Sequence, residues 1–304
     1  MKLPSTLPEQ LRSQDKIVTW IAELTKQPEK LVCTRLNDEF ENPGINVSRA
    51  FSEAGLEPFV WSKGLERFYE NTDAFLYELV VWNRNKLKRR MRRWVAKYLA
   101  ENYGQPQEVL SIGDGLGFDS LYLAQAGHRV SYFEVPGYSE HFARRLFAEQ
   151  NSPVKVFTDL NKISAEAYDV VVCLDVLEHL REPSGQVKQI TGYLRSSGLL
   201  IIHAPFYMIH PSSPTHMKAN RRYSGSLSLY QEQDLKLVDG NFGWNPIVLR
   251  KLPDDLSTIE SRSFILKVLG LRLCGLYLAL GRFSTLPFCW VYTYRRKNNY
   301  MFET

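Results

Sequence analysis

From Glu108 onward the chain repeats one pattern, a short apolar run followed by a turn and a helical segment, and this pattern constrains the fold more than any other feature. The runs fall at residues 109–112, 129–133, 154–157, 168–174 and 199–203. Helical spacing occupies 119–126, 139–149 and 186–194 between them. Short apolar runs alternating with helices are the mark of βαβ units, whose strands pair in parallel because each crossover helix carries the chain back to the end at which the previous strand began. The run Val170-Val171-Val172-Cys173-Leu174 has no polar alternation, so it is expected to lie at the centre of the sheet with both faces covered. After 203 comes a long loop to about 226, rich in His, Pro and Ser, then an expected helix over 229–238 and a strand near 247–249. Loops of that length inside a compact domain usually carry function.

Residues 1–105 read differently. Apolar residues recur at helical spacing at Ile17, Trp20, Ile21 and Leu24, and again at Phe68, Phe75, Leu76, Leu79 and Val80. Breaks are expected at Asn42-Pro43-Gly44 and over 55–58. The division expected is therefore a helical cap or lid over 1–105 and an α/β domain over 106–304. Between 84 and 97 lie Arg84, Lys86, Lys88, Arg89, Arg90, Arg92, Arg93 and Lys97 with no acid among them. Such a run is either a solvated helix face beside Leu87, Met91, Trp94, Val95 and Tyr98 or a patch that meets phosphates.

With 304 residues there is length enough for one α/β domain plus this extension. Cys33, Cys173, Cys274 and Cys289 show no paired spacing, so neither a disulfide framework nor a zinc site is expected, and no metal is assigned. The first residues lack the apolar stretch of a secretory signal, which points to the cytoplasm. Residues 264–294 are strongly apolar but interrupted by Lys267, Arg272 and Arg282. They fall short of the roughly 20 apolar residues of a membrane span. Helical core packing over about 254–286 and peripheral contact of 264–294 with a membrane surface are the two readings; 288–294 could also form a strand.

Gly113-Asp114-Gly115-Leu116-Gly117 follows the first strand and opens a helix, the setting in which a glycine loop lets the backbone approach a nucleotide. Glu134 ends the second strand, where a carboxylate can accept from both hydroxyls of a ribose. Asp159 follows the third strand, and Asp175 ends the fourth at the head of Asp175-Val176-Leu177-Glu178-His179-Leu180. Ligands of open α/β sheets bind beyond the carboxyl ends of the strands, so these features converge on one crevice. The loop is Gly-x-Gly-x-Gly with Phe118 next, not the Gly-x-Gly-x-x-Gly of a dinucleotide pyrophosphate site.

Taken together, residues 109–117, Glu134, Asp159, 168–180 and 198–205 resemble the class I S-adenosylmethionine-dependent methyltransferases, over roughly 108–249. The resemblance implies a doubly wound, mostly parallel seven-stranded Rossmann-like α/β sheet. It also implies S-adenosylmethionine as cofactor, held by Gly113, Asp114, Gly115, Gly117, Glu134, Asp159 and Asp175. The stretch from Asp175 to His179 is similar to the branch that methylates small molecules. One departure is Ser111, where members commonly carry an acid.

A methyl transfer to a hydroxyl gains from a general base, and His216 and His203 are the catalytic candidates, since they lie at or after the fifth strand and histidine titrates near neutrality. Tyr207, Tyr223 and Tyr230 are candidate walls of an acceptor pocket, with Trp61, Phe68, Tyr69, Phe75 and Trp82 closing over it or simply filling a core. The expected acceptor is a small molecule bearing a natural-product or sugar-like oxygen. An RNA methyltransferase using the basic helix 84–97, or a non-catalytic scaffold that keeps the fold, compete with it. The oligomeric state is left open.

Overall fold

The computed structural model describes residues 14–241 and 246–252. The apolar segments 254–286, 264–294 and 288–294 lie outside them. Six helices come first: α1 (Gln14–Thr25), α2 (Glu29–Glu41), α3 (Ile45–Glu53), α4 (Lys63–Asn71), α5 (Ala74–Arg84) and α6 (Lys86–Asn102). Side chains start two of them where the sequence supplies a cap. Ser62 Oγ accepts from Leu65 N–H at 3.2 Å, and Asn85 Oδ1 accepts from Leu87 N–H at 2.8 Å.

The alternating part follows as β1 (Glu108–Ile112), α7 (Phe118–Gln125), β2 (Arg129–Phe133), α8 (Tyr138–Glu149), β3 (Lys155–Phe157), β4 (Tyr168–Leu174), α9 (Pro183–Tyr193), β5 (Leu194–His203), α10 (Ser228–Gln231), β6 (Leu235–Gly240) and β7 (Ile247–Lys251). The strands form one seven-stranded sheet in the order β3-β2-β1-β4-β5-β7-β6. β1 to β5 are parallel; β7 is antiparallel to both β5 and β6. The order turns back between β1 and β4, which opens a crevice at their carboxyl ends.

The helix expected over 229–238 ends early. Asp234 takes a left-handed φ of +56°, and from Leu235 the apolar residues alternate with polar ones, a period that suits a strand. α10 is therefore one short turn, and β6 completes the edge.

Both sheet faces are covered. On one, Met91, Val95 and Leu99 of α6 pack on Val109, Val170, Val172, Ile201 and Val248. On the other, Val187 and Ile190 of α9 pack on Leu110, Val171, Cys173, Leu200 and Ile202. The first helices have one small cluster, Val47, Phe51, Leu65 and Phe68 closed by Met217 of the later loop, but Ile17, Trp20, Leu36, Leu76 and Tyr77 share a larger core with Phe118, Leu121, Tyr132 and Phe142 of the α/β part.

The same helices also meet the long loop 205–226. Phe59 N–H donates to Pro214 O at 2.8 Å, Lys218 N–H donates to Phe59 O at 3.0 Å, and Ser48 Oγ donates to Pro211 O at 3.1 Å. Gly44 has φ +83°, and a Cβ placed there would lie 1.9 Å from Ser212 O. Backbone cannot swing aside as a side chain does. Gly44→Ala is therefore expected to lower stability by at least about 2 kcal/mol, from left-handed strain and from pushing α3 off the loop. Urea unfolding checks it, and an unchanged midpoint would show that the contact is slack.

Candidate functional site

The glycine loop leaves β1 with Gly113, Gly115 and Gly117 at φ of +69°, +62° and +79°. Side chains are excluded there by space as well as by conformation. A Cβ on Gly113 would come within 2.4 Å of Val176, and one on Gly115 within 2.6 Å of Leu79. Glu134, half-buried at the end of β2, reaches this loop: Gly115 N–H donates to its Oε2 at 2.7 Å, and Val135 N–H donates to Oε1 at 3.0 Å. Tyr132 holds the loop from below, its hydroxyl donating to Gly115 O at 2.6 Å.

Burial pushes the Glu134 carboxyl up to about 7, against the pull of the two N–H donors. Ribose hydroxyls donate best to the ionised form. Adenosine-group affinity is thus expected to be full above about pH 7 and to weaken up to about tenfold per pH unit below it. Calorimetry with S-adenosylmethionine from pH 5.5 to 8.5 tests this: Glu134→Gln should flatten the slope, whereas Asp114→Asn should keep it.

Asp114 faces elsewhere. Its carboxylate accepts from Asp119 N–H at 3.1 Å and Ser120 N–H at 2.7 Å, capping the first turn of α7, and burial pushes it up to about 7. Its contribution to a ligand would come through the loop backbone. Asp159 is half-buried beyond β3, and its Oδ1 accepts from Asn161 N–H at 2.9 Å in a local turn.

Asp175 ends β4 at a φ of +63°, unusual for a residue with a side chain. It accepts from Trp82 Nε1 at 3.1 Å, lies 3.4 Å from Lys88 Nζ, and is paired with His203 Nδ1. Burial opposes its charge, but His203, Lys88 and Trp82 together hold the carboxyl well below the usual range. His203 is 3% exposed at the end of β5, and its Nε2 has no hydrogen-bond partner among the described residues.

The basic run was expected either to be solvated or to meet phosphates. Lys86, Arg90, Arg93 and Lys97 are exposed, but Lys88 and Arg92 turn inward, at 5% and 2% exposure. Lys88 Nζ lies 2.9 Å from Asp119 Oδ2, and Arg92 is bonded to Asp119 Oδ1 and to Asn83 Oδ1. Burial disfavours both charges of the Lys88–Asp119 pair, yet each partner stabilises the other's ionised form, so Lys88 is raised and Asp119 lowered. Sequence reasoning missed this cluster. A signal was present: residues 88, 91, 92, 95 and 99 share one helical stripe with Met91, Val95 and Leu99.

His216, 7% exposed, meets neither Asp175 nor His203 by hydrogen bond. Its Nδ1–H donates to Met208 O at 2.6 Å, and burial together with neighbouring His179 pulls it down to about 3. Three aromatic residues of the helical front half reach the segment after β4: Trp61, in the link before α4, stacks under Arg181, Tyr69 Oη lies 3.0 Å from His179 Nδ1, and Trp82 bonds Asp175. Phe68 and Phe75 instead pack edge-on within their own cluster. Tyr207, Tyr223 and Tyr230 do line one pocket, with Ile202, Phe206 and Ile247.

Comparison with known proteins fits this geometry. Residues 83–248 match the family described as "Methyltransferase domain". The magnesium-protoporphyrin O-methyltransferase of Synechocystis sp. is 28% identical over 150 residues, 45% of this chain and 62% of that protein. The ubiquinone biosynthesis O-methyltransferase of Bordetella avium is 30% identical over 98 residues, 31% of this chain and 41% of that protein. The chain thus spans less than two thirds of the length of these curated relatives. The crystal structure of the Synechocystis magnesium protoporphyrin IX methyltransferase with bound S-adenosylmethionine aligns with a TM-score of 0.42 at 18% identity, covering 72% of this chain and 95% of that one.

A glycine loop with no room for side chains, a ribose-seeking carboxylate in contact with it, and no third glycine for a pyrophosphate fit a nucleoside sulfonium better than a dinucleotide. With more than half its length matched and the strand order to go with it, the chain belongs to the methyltransferase-domain family, whose methyl donor is S-adenosylmethionine.

Proposed function

We propose that this chain transfers a methyl group from S-adenosylmethionine to an oxygen of a small-molecule acceptor. The observation that carries the oxygen acceptor is the Asp175–His203 pair. A half-buried carboxylate holds Nδ1 of the imidazole, which leaves Nε2, without a hydrogen-bond partner among the described residues, as the proton acceptor. The two relatives named as O-methyltransferases support the same acceptor atom.

S-adenosylmethionine supplies an already activated methyl carbon on a sulfonium. The protein's own part is then to position and deprotonate. Glu134 and the loop backbone fix the adenosine end. With the donor bound, the S–CH3 bond would break to leave the thioether as the C–O bond forms, His203 Nε2 would accept the hydroxyl proton, and Asp175 would offset the charge of the imidazolium. Helices α3 to α5 and loop 205–226 would exclude water from the reacting centre.

The test is methyl incorporation from radiolabelled donor into a panel of phenols and carboxylic acids, alongside calorimetry. His203→Ala is expected to bind the cofactor within about twofold of wild type but to transfer about 10²–10⁴-fold more slowly. An unaltered rate would remove His203 from the chemistry. Label that enters only nitrogen or carbon acceptors would overturn the oxygen reading.

A further inference from the structure

The segment after β4 and the loop 205–226 bring together three groups that methyl transfer as described above does not use: Glu178, His179 and His216. One nitrogen of each histidine and one carboxylate oxygen of Glu178 all lie within 4.8 Å of one another. Glu178 is 1% exposed, and neither of its oxygens has a hydrogen-bond partner among the described residues. Burial and the nearby Asp175 push its carboxyl well above the ordinary range, so in the protein alone it is a poorly satisfied group.

The histidines are arranged around it in a consistent way. Each uses Nδ1 outward, His216 toward Met208 O at 2.6 Å and His179 toward Tyr69 Oη at 3.0 Å. Such a bond fixes the ring and turns the other nitrogen inward, which is the support that metal-bound imidazoles ordinarily have. His179 Nε2 lies 3.8 Å from Glu178 Oε1, and the two imidazoles meet edge to face at 4.6 Å between centroids. The backbone is pinned as well: Met217 N–H donates to Glu178 O at 2.8 Å, and Asn220 Nδ2 donates to Leu180 O at 2.7 Å.

We propose that Glu178, His179 and His216 form a binding site for a divalent transition-metal ion. Zinc ligands sit about 2.0–2.2 Å from the ion, so at tetrahedral angles two of them stand about 3.4 Å apart. His179 Nε2 and Glu178 Oε1 are already 3.8 Å apart, and side-chain shifts of about an ångström would close the rest of the set. Two imidazoles and one carboxylate suit zinc, manganese or iron better than magnesium or calcium, and they leave coordination positions open. The ion would neutralise the Glu178 carboxylate and take up the inward lone pair of His216. On the functional reading above, an open position would suit an acceptor oxygen, but binding of the ion stands apart from that reading.

The probe is the metal itself. Full-length protein stripped with a chelator is titrated with Zn2+ by calorimetry, with Co2+ by visible absorption, and with Cu2+ by electron spin resonance. The expected result is one equivalent per chain, lost at least 100-fold in affinity in Glu178→Gln and His216→Ala and retained in His210→Ala. The Cu2+ spectrum should show coupling to two nitrogens, a readout that wild-type protein gives even if a variant fails to fold. Glu178→Gln should in addition melt higher than stripped wild type and gain nothing from Zn2+. Less than about a tenth of an equivalent bound, coupling to fewer than two nitrogens, or full affinity in Glu178→Gln overturns the site. S-adenosylmethionine binding measured on the same stripped sample shows separately whether the methyltransferase reading holds.

Discussion

Replacing Asp119 with alanine is expected to destabilise the protein by about 3–5 kcal/mol, the scale for removing one partner of a buried ion pair. Asp119 is 4% exposed and is the common partner of Lys88 and Arg92. Without it Lys88 retains Asp175 at 3.4 Å, but Arg92, 2% exposed, keeps only Asn83 among the described residues. The loss should appear as a lower urea midpoint with little change in slope. Asp119→Asn, which keeps the shape and some acceptor capacity, should lose less. A deficit under about 1 kcal/mol for Asp119→Ala would mean that solvent enters the cluster on mutation. Because Asp119 also lies in the first turn of α7, beside the Asp114 cap, the same variant should loosen the glycine loop and weaken cofactor binding.

Glu134→Ala is expected to have the opposite balance. Each hydrogen bond to a charged acceptor is worth about 1.5–3 kcal/mol, so losing both ribose hydroxyl bonds should weaken S-adenosylmethionine about 10²–10⁴-fold. Folding should not suffer in proportion. An acid whose folded pKa of about 7 exceeds its unfolded value binds its proton more tightly when folded, so it withdraws stability as pH rises from about 4.5 to about 7. At pH 8 its removal should leave the cofactor-free protein as stable as wild type or more so. Calorimetry and thermal melting at pH 8 separate the two effects. Affinity reduced by less than about fivefold would place the ribose elsewhere.

The sheet was legible because its signals are local. β1, β2 and β4 coincide with apolar runs, and the glycine loop joins β1 to α7 where it was expected. The crevice was legible because it follows from strand order: features at consecutive strand ends have to meet. What could not be read was each carboxylate's choice of partner. Asp114 turned to a helix start and Asp175 to a tryptophan, a lysine and a histidine, all within one hydrogen-bond radius of alternatives. The stretch after residue 228 was misjudged because four residues of helix and six of strand share too short a window for either period to show. Glu178, His179 and His216 could not be grouped from sequence either, since only the fold of the 205–226 loop brings the last beside the first two.

The way α6 is shared has a consequence for protein engineering. Its Lys88 and Arg92 lock onto Asp119 and Asp175, while Trp82, one helix earlier, bonds the same Asp175. A chimera that took its front half from a relative and its sheet from this chain, spliced in the turn near 103–107, would separate those cations from the acids they were selected with. Splicing inside α5, ahead of Trp82, would keep donor and acceptor sets on one parental side, and should give folded hybrids where the more obvious junction gives aggregates.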